Sequence, residues 1–132
     1  MKAKSIIYRS VRIIAALILL QTLFFKFTAS PESVYIFMTV GMEPWGRIGV
    51  GILELVASVL ILIPATAYLG AGLAFGLMAG AIGMHLTLLG VEVQGDGGQL
   101  FLYAVIVTVC SLYVLWHDLD KVKTLLKKIT GQ

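Results

Sequence analysis

Three ionisable side chains that stand in or beside long apolar runs are the residues of this sequence best suited to chemistry. Glu54 is the single charge in GVGILELVASVLIL, Lys26 ends the apolar run that closes with FFKF, and His85 lies in GMHLTL. A carboxylate, an amine and an imidazole that share a site of low dielectric constant can exchange protons or hold a charged ligand. Glu54, His85 and Lys26 are therefore the candidate catalytic residues.

Three further polar side chains fall close to them if these segments are helices. Arg47 shares a helix face with Glu54 and Ser58 at spacings typical of an α-helix. Gln99 and Tyr103 are four residues apart and begin a mostly polar stripe at the start of another apolar run. Arg47, Gln99 and Tyr103 are the candidate ligand-binding residues.

Each of these residues also has a purely structural interpretation. Lys26 and Glu54 are as consistent with an ion pair that joins two helices as with a functional site, because intramembrane charges usually have a partner. His85 alone fits a hydrogen-bonded histidine near an interface, and tyrosines such as Tyr103 are common there. What favours a functional site is that acid, amine and imidazole are predicted at the same depth.

The composition indicates which elements position them. The chain has 132 residues, of which 59% are hydrophobic and 13% are charged, whereas soluble domains are about a quarter charged. No charged residue lies between Glu54 and Glu92, a run about twice the ~20 residues that cross a bilayer, and Pro64 divides it. The sequence predicts an all-α, polytopic membrane protein of one domain, residues 1–132, with four transmembrane helices near 11–28, 48–63, 66–90 and 99–117.

Charge distribution predicts the orientation of this four-helix bundle. Lys and Arg concentrate before residue 13 and after Asp118, and such residues favour the cytoplasmic side. We therefore expect a bacterial inner-membrane protein with cytoplasmic N- and C-termini and a polar pocket that opens outward.

Two shorter helices are expected outside the bundle. In the first outer loop, SPES is a helix-start signal with Ser30 as N-cap and Pro31 in the first turn, and it predicts a short interfacial helix that ends near Gly41. Residues 118–132 form a basic amphipathic tail, typical of an anchor on an anionic lipid surface. The lipid bilayer is thus an expected partner, and nothing predicts binding to nucleic acid.

The sequence has few residues that could bind a metal or a cofactor. A single cysteine, Cys110, provides no dithiol within the chain, and His85 and His117 are a poor metal site because they lie 32 residues apart and are predicted on opposite sides of the membrane. We expect no metal and no resident cofactor. A bound quinone is the small molecule that the predicted pocket would suit.

Several segments together resemble the DoxX-like family of small four-helix membrane proteins, over roughly residues 9–117. The similar segments are YRSVRII, FFKF, GMEPWG, LELVAS and GMHLTL, in this order. The chain departs from the usual pattern where Ala57, Ser58 and Pro64 replace expected glycines. The resemblance implies a four-helix bundle with Lys26, Glu54 and His85 as its polar positions, and some similar proteins are membrane subunits of thiosulfate:quinone oxidoreductase.

Two hypotheses on function follow. The first is a DoxX-like subunit of a redox complex whose outward pocket binds a quinone or another small molecule; whether it is an enzyme stays open. The second is a non-enzymatic accessory or assembly subunit, joined to other membrane subunits or to copies of itself through the small-residue ridge Gly72, Gly76 and Gly80. Gly80 and His85 lie about 140° apart around a helix, so the ridge and the histidine are expected to have different neighbours, and the partner of the glycines is a helix either of this chain or of another subunit. A transporter ranks third, because no inverted repeat is evident.

Overall fold

The structure is a computed structural model that describes residues 2–131, and it contains six α-helices in that range. They are α1 (Lys2–Phe27), α2 (Pro31–Thr39), α3 (Trp45–Leu62), α4 (Ala67–Met84), α5 (Gln99–His117) and α6 (Leu119–Thr130). A 3₁₀ turn, Pro64–Thr66, joins α3 to α4, and a π-helical turn, His85–Leu89, follows α4.

Four of these helices are long and apolar enough to cross a membrane, which confirms the predicted number. They are α1, α3, α4 with its flanking turns (Pro64–Leu89), and α5. The first helix begins at Lys2, well before the predicted residue 11, because lysine and arginine are good helix formers and the helix extends beyond its apolar part. The chain is therefore a multi-pass membrane protein.

The four long helices pack in a ring. In this ring α1 and α4 lie diagonally opposite, and each packs against both α3 and α5. Small residues, among them Ala15, Ala57 and Ala71, are fully buried at the crossings and allow the helix backbones to approach closely. Large apolar side chains such as Leu17 and Val109 point outward and are exposed, as lipid-facing residues are.

One end of the bundle, which we call the hairpin end, contains Pro64 and the junction of α5 with α6. Arg12 of α1 donates hydrogen bonds to the carbonyl oxygens of Ile61 (2.9 Å) and Leu62 (2.6 Å), where α3 stops. These carbonyls have no partner within the helix, so a cation at this position both satisfies them and complements the helix dipole. Arg12 thereby fixes the α3–α4 hairpin against α1.

The opposite end, the loop end, contains α2 and residues 90–98. Ser30 caps α2, its Oγ accepting the backbone N–H of Ser33 at 3.3 Å, and Pro31 occupies the first turn. A helix is therefore present where SPES predicted one, and α6 occupies most of the predicted amphipathic tail. The location of both at a membrane surface stays a prediction.

The predicted glycine ridge does not form a close helix contact among the described residues. A Cβ atom built on Gly72, Gly76 or Gly80 would meet nothing within 4 Å. The tight position is instead Gly70, where a Cβ would lie 2.5 Å from the backbone nitrogen of Ile61. Close packing of α3 against α4 therefore needs Gly70, whereas the three glycines of the ridge do not take part in it.

Candidate functional site

Glu54 is buried in the middle of α3 and pairs with α1. Its carboxylate atom Oε1 lies 2.8 Å from Nζ of Lys26, and the side chains of the two residues are 1% and 17% exposed. Thr22, one turn before Lys26, donates its hydroxyl to Oε2 of Glu54 at 2.9 Å. The structure thus brings together the acid and the amine that the sequence singled out.

Each oxygen of this carboxylate has one partner on α1. The amine of Lys26 pairs with Oε1, and the hydroxyl of Thr22 donates to Oε2. The hydroxyl of Thr22 also lies 3.0 Å from the carbonyl oxygen of Leu19, and its single proton serves one acceptor at a time. Because a carboxylate can accept several hydrogen bonds and Glu54 lines a cavity, its oxygens can also accept from a ligand or a water molecule.

His85 begins the π-helical turn at the loop end of α4. Its Nδ1 lies 2.9 Å from the carbonyl oxygen of Gly90; a carbonyl only accepts, so Nδ1 carries the proton of this hydrogen bond. In the neutral ring Nε2 is then an acceptor, and it makes no hydrogen bond with the described residues. The ring is 5% exposed and packs edge-on against Phe101. π-Helical turns occur frequently at functional sites.

A cavity of about 270 Å³ connects these groups at the loop end of the bundle. All four long helices line it, and α2 covers it through Ser33, Ile36 and Phe37. The polar lining comprises Thr22, Lys26, Ser33, Glu54, His85 and Tyr103, and the remaining wall is apolar. Predominantly apolar walls with a few convergent polar groups are typical of small-molecule sites.

Gly76 and Gly80 line this same cavity together with His85. The histidine contacts Phe101 and the carbonyl oxygen of Gly90, whereas a Cβ on either glycine would meet nothing within 4 Å, so that the ridge has different neighbours from the histidine stays a prediction. Glycine contributes no side chain, so the space beside α4 stays open at these positions. The cavity consequently extends around a wide arc of the helix and reaches both.

The remaining predicted site residues have other surroundings. Arg47 does not line the cavity; its guanidinium binds Glu43, at 2.8 and 3.1 Å, and the carbonyl oxygen of Lys26. Gln99 is exposed and donates its side-chain amide to the Tyr103 hydroxyl at 2.8 Å. Tyr103 itself lines the cavity. Arg47 thus supports the end of α1 that carries Lys26, and Gln99 orients Tyr103.

A second polar cluster at the hairpin end was not foreseen. Tyr8 donates its hydroxyl to Oδ2 of Asp118 at 2.7 Å, and Oδ1 of Asp118 lies 2.9 Å from Nδ1 of His117. The rings of Tyr8 and His117 stack at 3.7 Å, and Arg12 lies over Tyr8. The sequence signal was the HD pair at the end of an apolar run, but its partners are about a hundred residues away.

Asp96, in the loop between the π-helical turn and α5, is another residue whose role the sequence did not show. Its carboxylate accepts the backbone N–H groups of Val93, Gly98 and Leu100, at 3.0, 2.8 and 3.3 Å. Desolvation by burial raises the pKa of this carboxyl. The three hydrogen bonds together lower the pKa by more than burial raises it, so the pKa is below its ordinary value. Asp96 holds the loop to the first turn of α5.

The fold and the cavity together define a four-helix membrane protein with one buried acid–amine pair and an imidazole around a small apolar chamber. Comparison of the chain with family models, curated proteins and solved structures finds no match. The resemblance to DoxX-like proteins therefore stays a prediction. Among residues 2–131 no group of three or more His, Cys, Asp or Glu side chains is placed to bind a metal ion.

Proposed function

We propose that this protein binds a quinone-like small molecule in the cavity at the loop end, as a DoxX-like subunit of a membrane redox complex. The observation that carries the proposal is that Glu54, Lys26 and His85 line one cavity whose remaining wall is predominantly apolar. A ligand hydroxyl would add a hydrogen bond to the Glu54 carboxylate. The electrons would come from a redox partner.

The chemistry of the lining suits the two forms of such a ligand. The Glu54 carboxylate, and Nε2 of His85 when Nδ1 carries the ring proton, are acceptors that match the two hydroxyl groups of a quinol. Lys26 and Tyr103 carry donors that match a quinone carbonyl. Reduction of a quinone takes up protons as well as electrons, and in this proposal His85 and Glu54 exchange those protons with the ligand, while the amine of Lys26 stabilises the carboxylate after Glu54 has given up its proton.

Equilibrium binding tests the proposal. The purified protein in lipid nanodiscs is titrated with a methoxylated benzoquinone and its quinol, and heat is measured by calorimetry. We expect binding by the wild type, and Glu54→Gln to weaken quinol binding by about tenfold or more, which corresponds to about 1.4 kcal/mol. Glu92→Gln, a change of an exposed acid in the adjacent loop, is the matched control. Absence of binding to the wild type would refute the proposal.

The second candidate is an accessory subunit without a ligand of its own. Its support is the open, exposed face of α4 at Gly72, which has room for a helix of another subunit. Gentle extraction from native membranes followed by mass spectrometry separates the two candidates. Co-purified quinone supports the binding protein, whereas a stoichiometric set of proteins without quinone supports the accessory subunit.

A further inference from the structure

We propose that the ligand reaches the cavity from the lipid phase, as an amphiphile whose polar ring sits at Glu54 and whose hydrocarbon tail leaves through a lateral opening beside Gly76 and Gly80. This inference rests on the proposed function and adds the class of ligand and its route. We call this opening, defined by Gly76 and Gly80, the lateral opening.

The first argument is that Gly76 and Gly80 both line the cavity and are exposed. Both line the cavity, both are exposed on the outer surface of α4, and a Cβ on either would meet nothing within 4 Å. A residue that lines a cavity and also faces the outside of a membrane-spanning helix marks a place where the wall is thin or absent. Phe25 of α1 likewise lines the cavity and is 38% exposed.

The second argument is the arrangement of the helices. α1 and α4 are diagonal in the ring and pack on α3 and α5 rather than closely on each other. Gly76 and Gly80 lie on the side of α4 turned away from its buried residues Ala74 and Met78, and glycine has no side chain to cover the edge of the cavity there. At the loop end, by contrast, α2 lies over the cavity with Phe37 buried, which obstructs a route from water.

The third argument is size. A cavity of about 150 Å³ holds benzene, so about 270 Å³ accommodates one substituted ring and leaves no room for a long tail. The polar groups, Glu54 with Thr22 and Lys26, provide the place for a polar head, and the α4 wall around Leu77 and Ala81 is apolar. A ring with a tail therefore fits with its head inward and its tail in the bilayer.

Ligands with and without a tail test the inference. The probes are a methoxylated benzoquinol without a tail and the same ring with a decyl tail, titrated into protein in nanodiscs. In Gly80→Leu, the leucine side chain occupies the lateral opening, so we expect the dissociation constant of the tailed quinol to rise about tenfold or more. The tailless quinol should lose clearly less affinity than the tailed quinol, because its ring does not extend through the opening.

Gly72→Leu is the matched control, because Gly72 is exposed on the same helix with open space but does not line the cavity. It should change neither affinity. Gly76→Leu is the second variant should Gly80→Leu fail to assemble. Unchanged binding of the tailed quinol, or an equal loss for both quinols, would overturn the lateral route while leaving the ligand proposal intact. If the wild type binds neither quinol, the proposed function itself fails.

Discussion

The amine of Lys26 lies 2.8 Å from Oε1 of Glu54 and thereby joins the last turn of α1 to the middle of α3. Because the acid is 1% exposed and the amine 17%, the two partners are not equally buried. Lysine at this position can extend its amine toward the loop end if the pair is broken, whereas the carboxylate has no such freedom.

This asymmetry predicts the outcome of a double-mutant cycle. We expect Lys26→Met to lower the free energy of unfolding by about 3 kcal/mol, because it leaves a buried charge unpaired, and Glu54→Gln to lower it by about 1 kcal/mol. The double variant should lie close to the wild type. Denaturation in detergent, followed by circular dichroism, measures the three values. Strictly additive losses would show that the pair does not interact energetically.

Arg12 is expected to be essential for the hairpin end. Arg12→Met removes the donors to the carbonyl oxygens of Ile61 and Leu62, and leaving buried acceptors unsatisfied should cost about 2 to 4 kcal/mol. Arg9→Met is the matched control, since Arg9 is exposed in the same helix, and its effect should stay within about 0.5 kcal/mol. Thermal unfolding in detergent compares the two variants; equal midpoints would contradict the anchoring role of Arg12.

Two glycines of α4 should respond in opposite directions to alanine. In Gly70→Ala the new Cβ would lie 2.5 Å from the nitrogen of Ile61 and 2.7 Å from the oxygen of Ala57, and this clash with backbone should cost about 1 to 3 kcal/mol. Gly72→Ala has open space and should gain about 0.5 to 1 kcal/mol from helix propensity. Unfolding midpoints measure both, and a stabilising Gly70→Ala would be inconsistent with this packing.

The hydrogen bonds of Asp96 predict that the free energy of unfolding depends on pH in the acidic range. Its carboxylate accepts three backbone hydrogen bonds and its folded-state pKa lies below the ordinary value. The stabilisation is therefore present above the unfolded-state pKa, about 4, and is lost as the pH falls through the lowered folded-state pKa. Asp96→Ala should lower stability at neutral pH by about 1 to 2 kcal/mol.

The pH profile supplies the control for that experiment. The difference between wild type and Asp96→Ala should shrink as the pH is lowered below about 4, while Glu92→Ala, an exposed acid of the same loop, should match the wild type throughout. Thermal unfolding from pH 7 downward, to about pH 3, gives the profile. A difference that does not depend on pH would assign the loss to packing.

Local sequence patterns were sufficient for several parts of the molecule. Ser30 and Pro31 predicted the start of α2 because capping depends on adjacent residues. Lys26 and Glu54 could be recognised as partners from the sequence, because a charged side chain inside a membrane usually pairs with another charge. Arg12, Tyr8 and Asp118 could not be matched, since basic and acidic residues at helix ends have many possible partners in water and no spacing rule links residues so far apart in the chain.

By itself the sequence determined that four apolar helices cross a membrane, because backbone polar groups in lipid must be satisfied within each helix and apolar length sets the number of spans. Only the tertiary structure decided that α1 and α4 lie diagonally and that Gly76, Gly80 and His85 share one cavity. Helix periodicity gives the direction in which a side chain points. It does not give the neighbour that the side chain meets, which depends on how the four helices pack.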